Sequence, residues 1–212
     1  MRGLVDPDSK LFSILTKMTL LIELNVLVLL CCLPVVTAGA AISSMHAVLL
    51  KIYREEEKRV ITDYFQAMKS NLKNGSILWL LYLGYLGILA GLGVLAVRVA
   101  PDGAVYMLYG LLLAAVAGLL YLDWALILQS RYVYSIPQCL KSALLAWMQY
   151  PGSTIVYLIS VVTPVLCCFS VEFWPVLLLL GVTLPHLIST TLYSRVFDQL
   201  EGVPPRNSQP QT

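Results

Sequence analysis

Five polar side chains stand inside the long apolar runs of this chain: Glu23, Asn25, His46, Asp123 and His186. An ionisable group in hydrocarbon costs several kcal/mol, so it is kept for a partner or a purpose. A carboxylate and an imidazole can pass a proton between them or hold a cation together. Counted from the nearest Lys and Arg markers, all five fall near the middle of the bilayer or in its cytoplasmic half. They can therefore line one inward-facing polar cavity, with Asp123 or Glu23 partnering His186 for proton or cation handling. The structural alternative is that each makes a local hydrogen bond between helices, with Glu23 and Asp123 close enough to the inner interface to stay wet.

Cysteine is the other chemistry-bearing residue type. Cys31 and Cys32 pair with Cys167 and Cys168 in depth, and Cys139 stands apart. Four thiolates can bind zinc, but adjacent cysteines diverge on a helix and lack the usual two to four intervening residues. Buried apolar thiols are the expectation, with no metal. The chain has no Gly-rich phosphate loop ending in Lys-Ser or Lys-Thr, no His-Glu-x-x-His and no Gly-x-Ser-x-Gly. Neither an enzyme nor a cofactor is expected.

The elements that must position these residues are membrane spans. Of 212 residues, 58% are hydrophobic and 12% charged, and the mean hydropathy is +0.79. A soluble domain carries about 25% charged residues. The net charge of +2 gives no reason to expect a nucleic-acid partner; the partner that composition implies is the lipid bilayer. A span needs roughly 20 apolar residues to cross about 30 Å of hydrocarbon. Residues 18–36, 77–97, 104–128, 154–171 and 173–193 qualify. Residues 40–53 would reach only about 21 Å at about 1.5 Å per residue.

The positive-inside rule decides whether that short segment crosses. If it does, six spans put both termini in the cytoplasm, with thirteen of the fourteen Lys and Arg residues inside and Arg98 alone outside. The expected fold is therefore an all-α polytopic membrane helical bundle of six transmembrane helices, the second one short. It forms a single membrane domain over residues 1–201, followed by a disordered cytoplasmic tail over 202–212, in the cell membrane. No cleavable leader is expected, because the small residues 37–41 run straight into another apolar stretch.

Two amphipathic segments complete the plan. Ile61, Tyr64, Phe65, Met68 and Leu72 recur at helical spacing, and Ile136, Leu140, Leu144 and Trp147 do the same later. Each segment leads through a Gly-Ser pair, Gly75-Ser76 or Gly152-Ser153, into an apolar hairpin that ends in Ser-Arg. This predicts two cytoplasmic elbow helices, 61–73 and 135–150, and an internal hairpin repeat. Small residues at Gly87 and Gly91, and at Gly110, Ala114 and Gly118, predict close helix contacts. The basic residues Lys51, Arg54, Lys58, Arg59, Lys69 and Lys73 form a candidate cytoplasmic docking face.

The order and spacing of Leu24, Asn25, Leu27, then Leu33 to Thr37 and Gly39, then Lys51, Arg54, Asp63, Phe65, Lys69, Asn71, Lys73 and Trp79 resemble the YesL-like family of small bacterial membrane proteins of unknown function. The resemblance runs from about Lys10 to Phe197 and is most specific over the first eighty residues. Ala38, Ala40 and Ala41 depart from it, because many relatives carry a second proline there. Such proteins occur near sugar-uptake and sugar-sensing genes. The resemblance therefore implies a non-enzymatic accessory or regulatory component linked to carbohydrate uptake, with a sugar transporter or sensor as partner. The alternative is a small transporter or channel built on the polar cavity. The orientation is testable: a cysteine introduced at Asp102 is expected to react with an impermeant thiol reagent added outside intact cells, and one at Ser208 is expected not to. The reverse pattern would overturn the topology.

Overall fold

The computed structural model describes residues 10–54, 59–99, 101–132, 134–168, 172 and 174–200, all helix or turn with no strand among them. The helices are α1 (Lys10–Cys32), α2 (Ala38–Arg54), α3 (Val60–Val99), α4 (Ala104–Arg131), α5 (Ile136–Gln149), α6 (Pro151–Cys168), α7 (Trp174–Val176) and α8 (Thr183–Leu200). The expected tail over 202–212 lies outside the described residues.

The first connection shows how the second apolar segment gains its length. Pro34 disfavours helical backbone at the residue before it, so α1 stops at Cys32. The chain turns at once through a 3-10 segment, Val35–Thr37. The Thr37 hydroxyl donates to the Cys31 carbonyl at 3.0 Å, filling one of the acceptors that a helix end leaves open. Turn and helix together give 20 apolar residues, Val35–Arg54, about 30 Å of helix. The second segment is thus not short.

α2 is the best-buried of the long apolar helices and packs on α1, α3, α4 and α8. Its closest approach is to α3, where Gly39 meets Gly75. A methyl group at Gly39 would overlap the Gly75 carbonyl oxygen and lie 2.6 Å from Trp79 Cβ; one at Gly75 would lie 2.8 Å from Ala40 Cα. Only side-chain-free residues let the two backbones come this near. Gly75 is therefore a packing notch, and no break occurs there. α3 runs through Gly75-Ser76 as one helix of 40 residues, about 60 Å long.

This corrects the first elbow, 61–73, which is the opening of α3, and with it the repeat. The second segment behaves differently: α5 meets α6 at 106°. Pro151 makes the difference, because Tyr150 before it is held out of the helical region at φ −122, ψ 61. Gly152-Ser153 lies inside α6, past the bend. The side of α5 that packs inward includes most of the expected face: Ile136, Leu140 and Trp147 lie half-buried against the core beside the buried Cys139, Ala143 and Ala146, and Leu144 is exposed. The Cys139 thiol donates to the Ala125 carbonyl at 3.2 Å, and the Tyr121 hydroxyl donates to the Leu140 carbonyl at 2.7 Å, so α5 lies against α4.

The last expected span, 173–193, is broken. α7 passes into a π-helical turn, Leu177–Gly181, and α8 starts afresh at Thr183. Thr183, His186, Ser189, Thr190 and Ser194 give α8 a buried polar side. Among the described residues four helices are long and apolar enough to cross a membrane, or five if the bent α5–α6 pair is one span. These are the helices of a membrane-embedded protein, though not the six separate spans expected.

The small-residue stripe is used only in part. Gly118 sits against Tyr85, and the Tyr85 hydroxyl donates to the Ala114 carbonyl at 2.9 Å. Gly87, Gly91 and Gly110 face open space. The contrast makes a prediction. Gly75→Ala is expected to lower stability by about 1–3 kcal/mol, as overpacking does, whereas Gly91→Ala is expected to leave it unchanged or slightly raised. Thermal unfolding of the two variants in detergent measures the difference.

Candidate functional site

Three of the five intramembrane polar residues meet. α2 brings His46, α4 brings Asp123 and α8 brings His186 to one point, where one potential ligand atom of each lies within 4.8 Å of the other two. The relative exposures are 0% for His46 and 5% for both Asp123 and His186. The helices are held at this crossing by neighbouring polar contacts. The Ser43 hydroxyl, one turn before His46, donates to the Leu126 carbonyl of α4 at 3.0 Å. The Tyr193 hydroxyl of α8 reaches the His46 carbonyl at 3.3 Å.

The hydrogen bonds determine the tautomers. His186 Nδ1 lies 2.8 Å from the Val182 carbonyl, and a carbonyl only accepts, so Nδ1 carries the proton. The neutral ring then keeps its lone pair on Nε2. His46 Nε2 lies 3.3 Å from Asp123 Oδ1 and donates to the carboxylate, which leaves the lone pair of neutral His46 on Nδ1. His46 Nδ1 and Asp123 Oδ2 are both buried without a hydrogen-bond partner. The site thus holds two polar atoms without partners, which is costly in a buried place.

Aromatic and hydroxyl groups wall it. The rings of His46 and His186 are 5.3 Å apart and tilted by 56°, and Tyr193 stands edge-on to His46 at 5.8 Å. The Tyr193 hydroxyl is also 2.8 Å from Thr190 Oγ1, and the Thr190 hydroxyl donates to the His186 carbonyl at 2.8 Å. A cavity of about 170 Å³ opens beside the cluster, lined by Asp123, His186, Met45, Trp79, Leu122 and Val182 among others. Trp79 Nε1 is a further buried donor with no partner. The rest of the lining is apolar, so Asp123, His186 and Trp79 are the side chains that bring polar groups to it.

The other two candidates do not belong to the cluster. Asn25 is fully buried on α1, and its Oδ1 accepts the backbone N–H groups of Val182 and Thr183, each at 3.1 Å. It caps α8 from a distant part of the chain, satisfying donors that a helix start leaves free. The Thr183 hydroxyl returns a bond to the Leu21 carbonyl at 3.1 Å. Glu23 is half-buried on α1 and is not among the residues that converge. Sequence reasoning missed Tyr193, Thr190 and Trp79. Residues 186, 190 and 193 fall on one helix face by their spacing alone, and that signal was available.

The basic residues are dispersed in role. Lys51 pairs with Asp63 at 2.6 Å, tying α2 to α3. Arg54 also has a partner within the structure. Arg59, Lys69 and Lys73 are exposed, and Lys58 lies outside the described residues. Ile61, Phe65 and Leu72 are exposed; the buried stripe of this part of α3 is Val60, Tyr64, Asn71 and Gly75. Cys31 and Cys32 are half-buried and free, and Cys139 is buried. The side chains of Cys167 and Cys168 lie outside the described residues.

With the geometry in view, the comparisons with known proteins add one finding. A family described as protein of unknown function, DUF624, matches residues 21–91, from α1 into α3. The stretch overlaps the one on which the YesL-like resemblance is strongest. It takes in Asn25, His46 and the Gly39 and Gly75 crossing, and ends before Asp123 and His186. No curated protein and no solved structure matches the chain.

The Asn25 cap makes its own prediction. Asn25→Ala strands two backbone donors and is expected to cost about 1–3 kcal/mol. Val26→Ala, at an exposed neighbour, is expected to change stability by less than about 0.5 kcal/mol. Chemical unfolding of both variants in the same detergent checks the ranking.

Proposed function

We propose that the protein is a non-enzymatic integral membrane protein that handles a proton or a cation at the His46, Asp123 and His186 centre, as a small transporter or channel does. The supporting observation is the meeting of two imidazoles and one carboxylate, from three helices, beside a cavity in an otherwise apolar bundle. With Asp123 ionised and both rings neutral, the centre carries one negative charge. One proton, accepted on an imidazole lone pair, cancels it. Net charge at this depth costs several kcal/mol, so the charge state and the packing of α2, α4 and α8 are linked. Uptake favours the closed arrangement, and release favours one that admits water. In this reading the protein sits in the cell membrane with both termini cytoplasmic, as the bias of basic residues implies.

The accessory reading has narrower support. Exposed Lys69 and Lys73 flank exposed Ile61, Phe65 and Leu72 on α3, a surface that can meet lipid headgroups or a sugar transporter or sensor. Lys51 is already committed to Asp63, and the link to carbohydrate uptake rests on the resemblance alone.

Purified protein in liposomes under a potassium diffusion potential tests the first reading, with an internal pH dye as reporter. Wild type is expected to pass protons faster than empty vesicles, and Asp123→Asn at least tenfold more slowly than wild type while melting close to it. An amide keeps much of the hydrogen bonding but not the charge. Wild-type flux equal to that of empty vesicles, or an Asp123→Asn flux equal to wild type, would discard the reading and leave the accessory one ahead.

A further inference from the structure

The same cluster has the donor set of a metal centre. Two ligands at about 2.0–2.1 Å from a tetrahedral ion lie about 3.3 Å apart. His46 Nε2 and Asp123 Oδ1 are 3.3 Å apart, so an ion that takes the place of the proton between them, with His46 in the tautomer that carries its proton on Nδ1, meets both atoms. The widest separation among the three ligand atoms is within 4.8 Å, so it has to close by at most about 1.5 Å, a matter of side-chain torsions. His186 is prepared in the way metal-binding imidazoles usually are: its Nδ1–H is held by a backbone carbonyl, at 2.8 Å, which directs the Nε2 lone pair to a ligand. The buried, unpartnered Asp123 Oδ2 adds electron pairs that no hydrogen-bond donor among the described residues satisfies.

We propose that His46, Asp123 and His186 bind one divalent first-row transition-metal ion, with coordination left open toward the neighbouring cavity. The inference rests on reading the cluster as the functional centre, and it specifies the cation. Two imidazoles with one carboxylate select this class over Mg2+ or Ca2+, which take oxygen ligands, and over Cu(I), which takes sulfur. The carboxylate and a divalent ion leave a smaller net charge than a bare ion would carry, which makes burial at the helix crossing tolerable. Among the described residues no cysteine belongs to the site: Cys31, Cys32 and Cys139 do not converge on it.

Full-length protein without a polyhistidine tag, purified in detergent and stripped with EDTA, is titrated with ZnCl2 against a chromophoric chelator. Elemental analysis after dialysis gives the stoichiometry. One Zn2+ per chain is expected, with a higher melting temperature in its presence. Affinity is expected to fall at least tenfold in His186→Gln and in Asp123→Asn, and to be unchanged when Cys31 and Cys32 are replaced by Ser. Loading wild type with Co2+ gives a readout that does not depend on any variant folding: ligand-field bands without thiolate-to-metal charge transfer. Absence of saturable zinc binding, binding that survives both ligand substitutions, or a thiolate band with Co2+ overturns the proposal. The two readings fail separately. Zinc binding of this pattern in a protein that passes no protons removes only the transport reading, and Asp123-dependent flux without zinc binding removes only the metal site.

Discussion

The close crossing of α2 and α3 at Gly39 and Gly75 governs the rest of the structure. Backbones that touch cannot slide, so α2 has one register against α3. His46 lies about two turns along α2 from Gly39, and that register delivers its ring to Asp123. Lys51 and Asp63 close the other end of the same pair of helices. Move the crossing by one residue and the imidazole rotates away from the carboxylate by about 100°.

α8 is placed by a different device. Its start follows α7, the π-helical turn and Val182. A helix beginning inside an apolar bundle has free N–H groups and no water to meet them. Asn25 supplies the acceptor from α1, and the Ser160 hydroxyl of α6 meets the Pro185 carbonyl at 2.9 Å on the other side. The broken span thereby becomes a means of aiming His186. Its ring hangs from the first turn of α8, where the cap holds the backbone most firmly. Irregular backbone at membrane depth is tolerated where protein surrounds it or where it lines a cavity, and Val182 lines the cavity beside the cluster.

The all-helical membrane class and the identity of the buried polar residues were legible, because both follow from the cost of polar groups in an apolar run. That His46, Asp123 and His186 would meet, with Glu23 left out, was not legible: it depends on three crossings between distant segments. Gly75-Ser76 read as a break because that pair punctuates soluble chains, but against another helix the lack of a side chain is a contact surface. Pro151 did break the chain, since proline acts on its own neighbour whatever packs around it. The irregularity in the sixth segment was not legible either. Average hydropathy across 173–193 says nothing of a π-helical turn followed by a cap from α1 at Val182 and Thr183. Of the apolar stripe over residues 61–72, Tyr64 is buried and Met68 packs beside it, Asn71 and Gly75 share the interface, and Ile61 and Phe65 stay exposed.

The order in which the three cluster residues occur along the chain bears on how such a protein is made. α2 leaves the ribosome before α4, so when Asp123 first enters an apolar environment His46 is already there to meet its carboxylate. A charged residue that arrived first would have to wait, unpaired, for a partner not yet synthesised. His186 comes last of the three, on a helix whose first turn is capped by Asn25 of α1. The centre cannot therefore be complete before α8 is made, and the bonds from Asn25 join that helix to α1.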